Sequence, residues 1–197
     1  MKILIATTNP GKITEIKDLL KGLELTLLTL NDLALSLKVE ETGLTYAQNA
    51  ILKAQAYSQA SGMVTLADDT GLEVAALEGA PGLHSARFSP NPNAGDAERR
   101  KLLLEKLQPF PRPWAARFTC TVALAVPLGQ TQTADGACNG EIIDQERGAN
   151  GFGYDPIFLF TNLGKTMAEL TLEEKNQVSH RARAVKAILA EIENLDN

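Results

Sequence analysis

Apolar and polar positions alternate along the chain with two periods, and the switches between them outline the elements. Lys2 to Ala6 is a short apolar run, the pattern of a buried strand. Asn9-Pro10-Gly11 then reads as a turn, after which Ile13, Ile16, Leu19 and Leu20 recur on one helical face. A second helix is expected from Thr45, because Thr45 and Gln48 have capping-box spacing and Ala47, Ala50, Ile51 and Ala54 follow at helical period as far as Gly62. Met63 to Ala67 has the length of a strand and delivers Asp68 and Asp69 at its end.

Further along, Ala97 to Leu107 is helical by pattern, whereas Phe118, Cys120, Val122, Leu124 and Val126 alternate as one face of a half-buried strand over 116–126. Thr131 to Ile143 is expected to return as its antiparallel partner. Pro156 to Phe160 reads as another strand, Thr171 and Glu174 form a second capping box, and Ser179 caps a last helix with Val185, Ile188, Leu189 and Ile192 on its apolar side. Interleaved strands and helices with one antiparallel pair predict an α/β fold with a mixed sheet. The Pro/Gly-rich stretches are short enough to be turns, so residues 1–197 are read as a single domain.

Composition narrows the possible partners. With 44% apolar residues over 197 positions, the chain can bury its own core, and its formal charge of −5 offers no footprint for nucleic acid or an anionic membrane. Any phosphate must therefore be met by local cations. Cys120 and Cys138 lack the close pairing of a metal knuckle and are read as buried thiols in a reducing compartment. The apolar run at the start reaches Asn9 too soon for a signal sequence or a membrane span, so a cytoplasmic location is expected.

Four constellations carry candidate chemistry. Thr7-Thr8-Asn9-Pro10-Gly11-Lys12 lies between a strand and a helix, where hydroxyls, backbone N–H groups and the Lys12 charge can converge on an anion. It is not a Walker loop, since the glycine-rich span is missing and Ile13 replaces the hydroxyl residue. Glu40-Glu41-Thr42-Gly43 and Asp68-Asp69-Thr70-Gly71 supply carboxylates of the kind magnesium accepts, and a carboxylate beside that metal can deprotonate water. An aspartic-protease dyad would need two Asp-Thr-Gly motifs, from two lobes or two subunits, sharing a proton, and the neighbouring Asp68 and the strand-end context suit metal binding better. Asn49 and Lys53 stand four apart on one helix face, so Lys53 can hold a phosphate or orient a carboxylate.

In Gly151-Phe152-Gly153-Tyr154-Asp155-Pro156, glycines permit close backbone approach and aromatic rings offer a stacking face. Lys175 and Ser179-His180-Arg181 add donors suited to a base carbonyl or phosphate.

Taken in order, these residues resemble the inosine triphosphate pyrophosphatase family, which removes ITP, dITP and XTP from the nucleotide pool. The likeness also takes in Gly79-Ala80-Pro81-Gly82 and Ser85-Ala86-Arg87, so it spans nearly the whole chain. It implies a two-lobed fold with a central cleft, a homodimer and a magnesium-bound triphosphate as substrate. Thr7, Thr8, Asn9, Pro10, Gly11 and Lys12 would hold phosphates, and Glu41 and Asp69 would support Mg2+. Asp69 would accept the proton of the water attacking the α-phosphorus, with Asp68 and Lys53 in support. Thr70 stands where many members have serine and keeps the hydroxyl. Phe152 would stack on the base, with Gly153, Tyr154, Asp155, Lys175, His180 and Arg181 completing its pocket.

Overall fold

A computed structural model describes residues 1–195. In chain order its elements are β1 (Lys2–Ile5), α1 (Pro10–Leu19), β2 (Thr26–Thr29), α2 (Tyr46–Ser61), β3 (Val64–Val74), β4 (Pro81–Gly82), α3 (Asp96–Leu107), β5 (Trp114–Ala125), β6 (Thr131–Ile142), β7 (Phe158–Phe160), β8 (Lys165–Thr166), α4 (Leu172–Val178) and α5 (His180–Asn194). The sheet runs β2-β1-β3-β5-β6-β7-β8, with β4 on β3. Strand β1 is parallel to β2 and β3, whereas β3/β4, β6/β7 and β7/β8 are antiparallel, so the sheet is mixed as the pattern predicts. Among the described residues, no helix is long and apolar enough to cross a membrane.

The described residues divide into two compact units, the first comprising 1–69, 120–136 and 179–195 and the second 70–119 and 137–178. The first has two apolar clusters. One joins Ile3, Ile5 and Leu66 to Ile16 of α1 and Val185, Ile188 and Ile192 of α5, and the other joins Leu4, Ala6 and Ala67 to Ala50, Ala54 and Tyr57 of α2. Successive strand residues face opposite ways, so α1 and α5 cover one side of these strands and α2 the other. The second unit has its own core, built on Leu72, Leu103, Leu107, Trp114, Phe118 and Phe158.

The helix starts follow local chemistry. Asn9 accepts from Lys12 N and leaves Pro10 at the first helical position, so the expected turn is in fact the start of α1. Thr45 caps α2 through Gln48 N, but the Gln48 side chain accepts from Leu44 N, one residue earlier than a capping box requires. Gly62 ends α2 in the left-handed conformation with φ of 67°. Thr171 and Glu174 bond reciprocally, and Ser179 accepts from Ala182 N at the start of α5.

The largest departures lie in the strands. β3 continues to Val74, which places Asp68 and Asp69 within an eleven-residue strand rather than at its end. A strand ladder is cooperative over its whole length, whereas the short apolar run reports only the part buried on both faces. Asp155–Ile157 forms a 3-10 turn, so the strand expected from Pro156 begins at Phe158. β2 had no expectation attached to it.

Candidate functional site

In the first unit, the alternation of β3 sends its two acids to opposite faces. Asp68 follows Leu66 toward α1 and α5, and its Oδ2 lies 2.9 Å from Lys12 Nζ while accepting from Arg181 Nε at 3.2 Å and Nη2 at 3.1 Å. Arg181 also donates through Nη1 to Glu15 of α1. All three of these paired side chains, Asp68, Arg181 and Glu15, are at most 5% exposed. Burial disfavours ionised Asp68, but Lys12 and Arg181 outweigh it and hold the carboxyl well below its ordinary value. Burial likewise opposes charged Arg181, and Asp68 with Glu15 reverses that too.

Asp69 follows Ala67 toward α2. Its Oδ2 accepts from Asn49 Nδ2 at 3.1 Å, and its Oδ1 lies 3.4 Å from Lys53 Nζ, which also meets Glu41 Oε1 at 2.5 Å. Asn49 uses its other end to accept from Gly43 N at 2.8 Å, tying the Glu41 loop to the strand. A side chain at residue 43 would meet Gln48 Cβ at 2.6 Å and Asn49 Oδ1 at 2.7 Å, a close approach that requires glycine. Burial raises the Asp69 pKa, Glu41 adds to it, and Lys53 and Asn49 compensate only in part. Burial acts downward on Lys53, yet Asp69, Asp68 and Glu41 keep its pKa above that of ordinary lysine. Two adjacent acids are therefore shifted in opposite directions, Asp68 downward and Asp69 upward.

In the phosphate-loop candidate, Thr7 Oγ1 accepts from Asn9 N at 3.2 Å, and Asn9 Oδ1 accepts from Lys12 N at 3.1 Å. These bonds order the segment Thr7, Thr8, Asn9, Pro10, Gly11 and Lys12 at the N-terminus of α1.

The second unit holds the aromatic loop. Gly151 and Gly153 adopt φ of 74° and 60°, values that an L side chain rarely takes. Asp155 Oδ2 accepts from Phe152 N at 2.9 Å and from Lys175 Nζ at 2.5 Å, and that ammonium lies 5.1 Å from the Phe152 ring centroid. A side chain at 151 would run into Asp155 Oδ2. Phe152, Gly153, Asp155 and Lys175 thus lie together in this unit, with Thr70 partly exposed at the start of its β3 segment.

Tyr154 is buried and its hydroxyl donates to Ser85 O at 2.9 Å, with burial raising its pKa. It therefore braces the loop from within the second unit. His180 and Arg181 belong to the first unit and are both buried, and Arg181 pairs there with Asp68 and Glu15. A buried Asp68 requires such a buried cation. Glu15 was missed by sequence reasoning. Its signal was a carboxylate beside Ile16 on the apolar side of α1, three residues from Lys12. The Ser85-Ala86-Arg87 motif contributes mainly scaffold through Ser85, whose Oγ accepts from Leu72 N at 2.8 Å and donates to Gly82 O at 2.6 Å.

The model of the Ham1 family matches residues 3–191, a span that includes every motif described above. A dITP/XTP pyrophosphatase of Thermus thermophilus is 46% identical over 190 residues, covering 96% of this chain and 90% of the relative. Another, from Desulforamulus reducens, is 44% identical over 187 residues, covering 94% and 92%. Among solved structures, a HAM1 protein from Coxiella burnetii aligns with a TM-score of 0.87 at 38% identity, covering 98% of this chain and 99% of that one. A match of this extent settles the relationship: the chain belongs to the Ham1 family.

Proposed function

We propose that this protein is a nucleoside triphosphate pyrophosphatase that hydrolyses ITP, dITP and XTP to the monophosphate and pyrophosphate by attack of water on the α-phosphorus. The observation that carries this reading is the placement of two adjacent carboxylates on opposite faces of β3, Asp68 against Lys12 and Arg181 and Asp69 beside Asn49, Lys53 and Glu41. A buried carboxyl with a raised pKa is suited to take a proton from water, and the neighbouring anion holds Lys12 and Arg181 in place. The names of the relatives, dITP/XTP pyrophosphatase, support the substrate class, and the match over 3–191 supports treating the chain as one catalytic module.

Glu41 and Asp69 fit a divalent cation, since both direct an oxygen at the same ammonium, that of Lys53. Magnesium takes one or two carboxylates and completes its octahedron with waters and phosphate oxygens, so a larger ligand cluster is unnecessary. Bound there, Mg2+ would neutralise charge on the phosphates. Lys12 and the loop at the start of α1 bind phosphate oxygens, and Lys53 balances the leaving pyrophosphate.

Phe152 provides the stacking face, and Lys175, whose ammonium lies beside that ring, supplies donors for a 6-oxo purine. Against adenine, such donors would face an amino group and remain unpaired, which is costly when buried. The homodimer implied by the motif resemblance and the cytoplasmic location expected from the sequence belong to the same reading.

The experiment is magnesium-dependent release of pyrophosphate from ITP, XTP, GTP, ATP and CTP, compared side by side. Release from ITP and XTP alone is the expected result. Release from CTP would keep the phosphate chemistry and discard the base assignment, and release from none would overturn the reading.

A further inference from the structure

Helix α3 carries no residue of the motifs, yet two of its side chains take hold of the aromatic loop at one point. Asp96 Oδ2 accepts from Gly153 N at 2.7 Å, and Arg100 Nη1 donates to Gly153 O at 2.8 Å. Residues four apart project from the same helix face, so both backbone groups of a single glycine are held by one helix. Each half of this clamp is itself braced. Glu146 receives Arg100 through two parallel bonds, Nε to Oε1 at 2.8 Å and Nη2 to Oε2 at 2.9 Å, and Arg99 meets Asp96 Oδ1 at 2.5 Å. Burial would raise the Asp96 pKa, but the Gly153 N–H and Arg99 outweigh it and keep the carboxylate ionised and accepting.

Gly153 needs such holding. No atom lies within 4 Å of where its side chain would be, so glycine is there for its φ of 60° rather than for lack of space. The preceding residue is Phe152, whose own N–H is fixed by Asp155. The ring is therefore oriented by two sets of bonds, one inside the loop and one supplied by α3.

We propose that Asp96 and Arg100 are positioning residues that set the plane of the Phe152 ring and so govern affinity for the base, without touching substrate. This rests on the base-stacking role given to Phe152 above. Because ring orientation matters equally before and during reaction, loss of the clamp should weaken binding and leave turnover at saturation nearly unchanged.

The test compares Arg100→Ala and Asp96→Ala with wild type and with Arg112→Ala, which removes another arginine–carboxylate pair of the same unit, that with Asp144. Expected is a rise of ~10-fold in KM for ITP and in Kd for inosine monophosphate in the two clamp variants, the scale of a lost charge-assisted hydrogen bond. Inhibition by pyrophosphate and kcat should stay within about twofold, a split that general destabilisation would not give. Arg112→Ala should leave all four quantities unchanged. Glu146→Gln, which keeps the arginine and loosens its brace, should give a smaller rise in the same two quantities and covers the case of a clamp variant that does not fold. Unchanged KM and Kd in an active clamp variant would overturn the proposal, as would a parallel loss of pyrophosphate affinity. A wild-type protein that neither binds inosine monophosphate nor releases pyrophosphate from ITP would instead overturn the functional reading itself.

Discussion

Asp68 in the first unit is met by Lys12 of α1 and Arg181 of α5, whereas the Phe152 loop in the second is held largely through its own backbone. The first arrangement places charges on regular elements, where strand alternation and helix period fix their directions. The second depends on two positive-φ glycines and on hydrogen bonds to peptide groups. Charge networks on rigid elements set protonation states. A loop held through its backbone presents a ring face, where small rotations alter recognition more than chemistry. The difference teaches that damage to the first region should appear in turnover and stability, and damage to the second in substrate affinity.

Asp69→Asn is the sharpest way to separate these. It should lower kcat by roughly 10²–10⁴-fold, the range for loss of a general base. Thermal melting should show no loss of stability, because the raised pKa means that ionised Asp69 is disfavoured in the fold. A variant that hydrolyses ITP at near-normal rate, or that melts well below wild type, would break the contrast drawn between the two acids.

Asp68→Asn should lower stability as well as turnover. Removing one partner of a buried ion pair should cost ~3–5 kcal/mol in urea unfolding. The pH dependence has a definite sign. The folded pKa of Asp68 lies below its unfolded value of 3.8, so its contribution is complete above that value and is lost as pH falls through the folded pKa. Wild-type stability should therefore decline in acid more steeply than that of Asp68→Asn. Equal slopes in urea titrations at a series of acidic pH values would show that the network does not govern acid unfolding.

Phe152→Ala should weaken binding of inosine monophosphate by ~1–3 kcal/mol, the scale of one base–aromatic stack, with kcat much less affected. Calorimetry showing unchanged affinity would remove the stacking role. The smallest effect is expected at Arg117→Ala, since its pair with Glu73 is exposed on the arginine side, and less than ~1 kcal/mol should be lost on unfolding. A larger loss there would mean that surface charge pairs matter more than the burial argument allows.

Much of the fold is legible in the sequence because it is decided locally. Asn9, Thr45, Thr171 and Ser179 start helices by bonding to amides three residues on, and Gly62 ends one by adopting a conformation other residues avoid. The Asn49/Lys53 spacing puts both on one helix face, and the structure turns that face to Asp69. The length of β3 was less accessible, because its later residues owe their strand state to partners such as β4 rather than to apolar alternation.

The sequence by itself determined the helix boundaries, the order of the motifs and the residue types available for phosphate and metal chemistry, since these depend on hydrogen bonds and periods within a few residues. Only the tertiary structure decided that β3 continues through Asp68 and Asp69 to Val74, that Arg181 pairs with Asp68 and Glu15, and that α3 holds Gly153. Those outcomes depend on which distant segments pack together, with 113 and 166 positions separating Arg181 from its two carboxylates. Burial then converts each such meeting into a pKa, because a charge taken out of water is tolerated only beside its opposite.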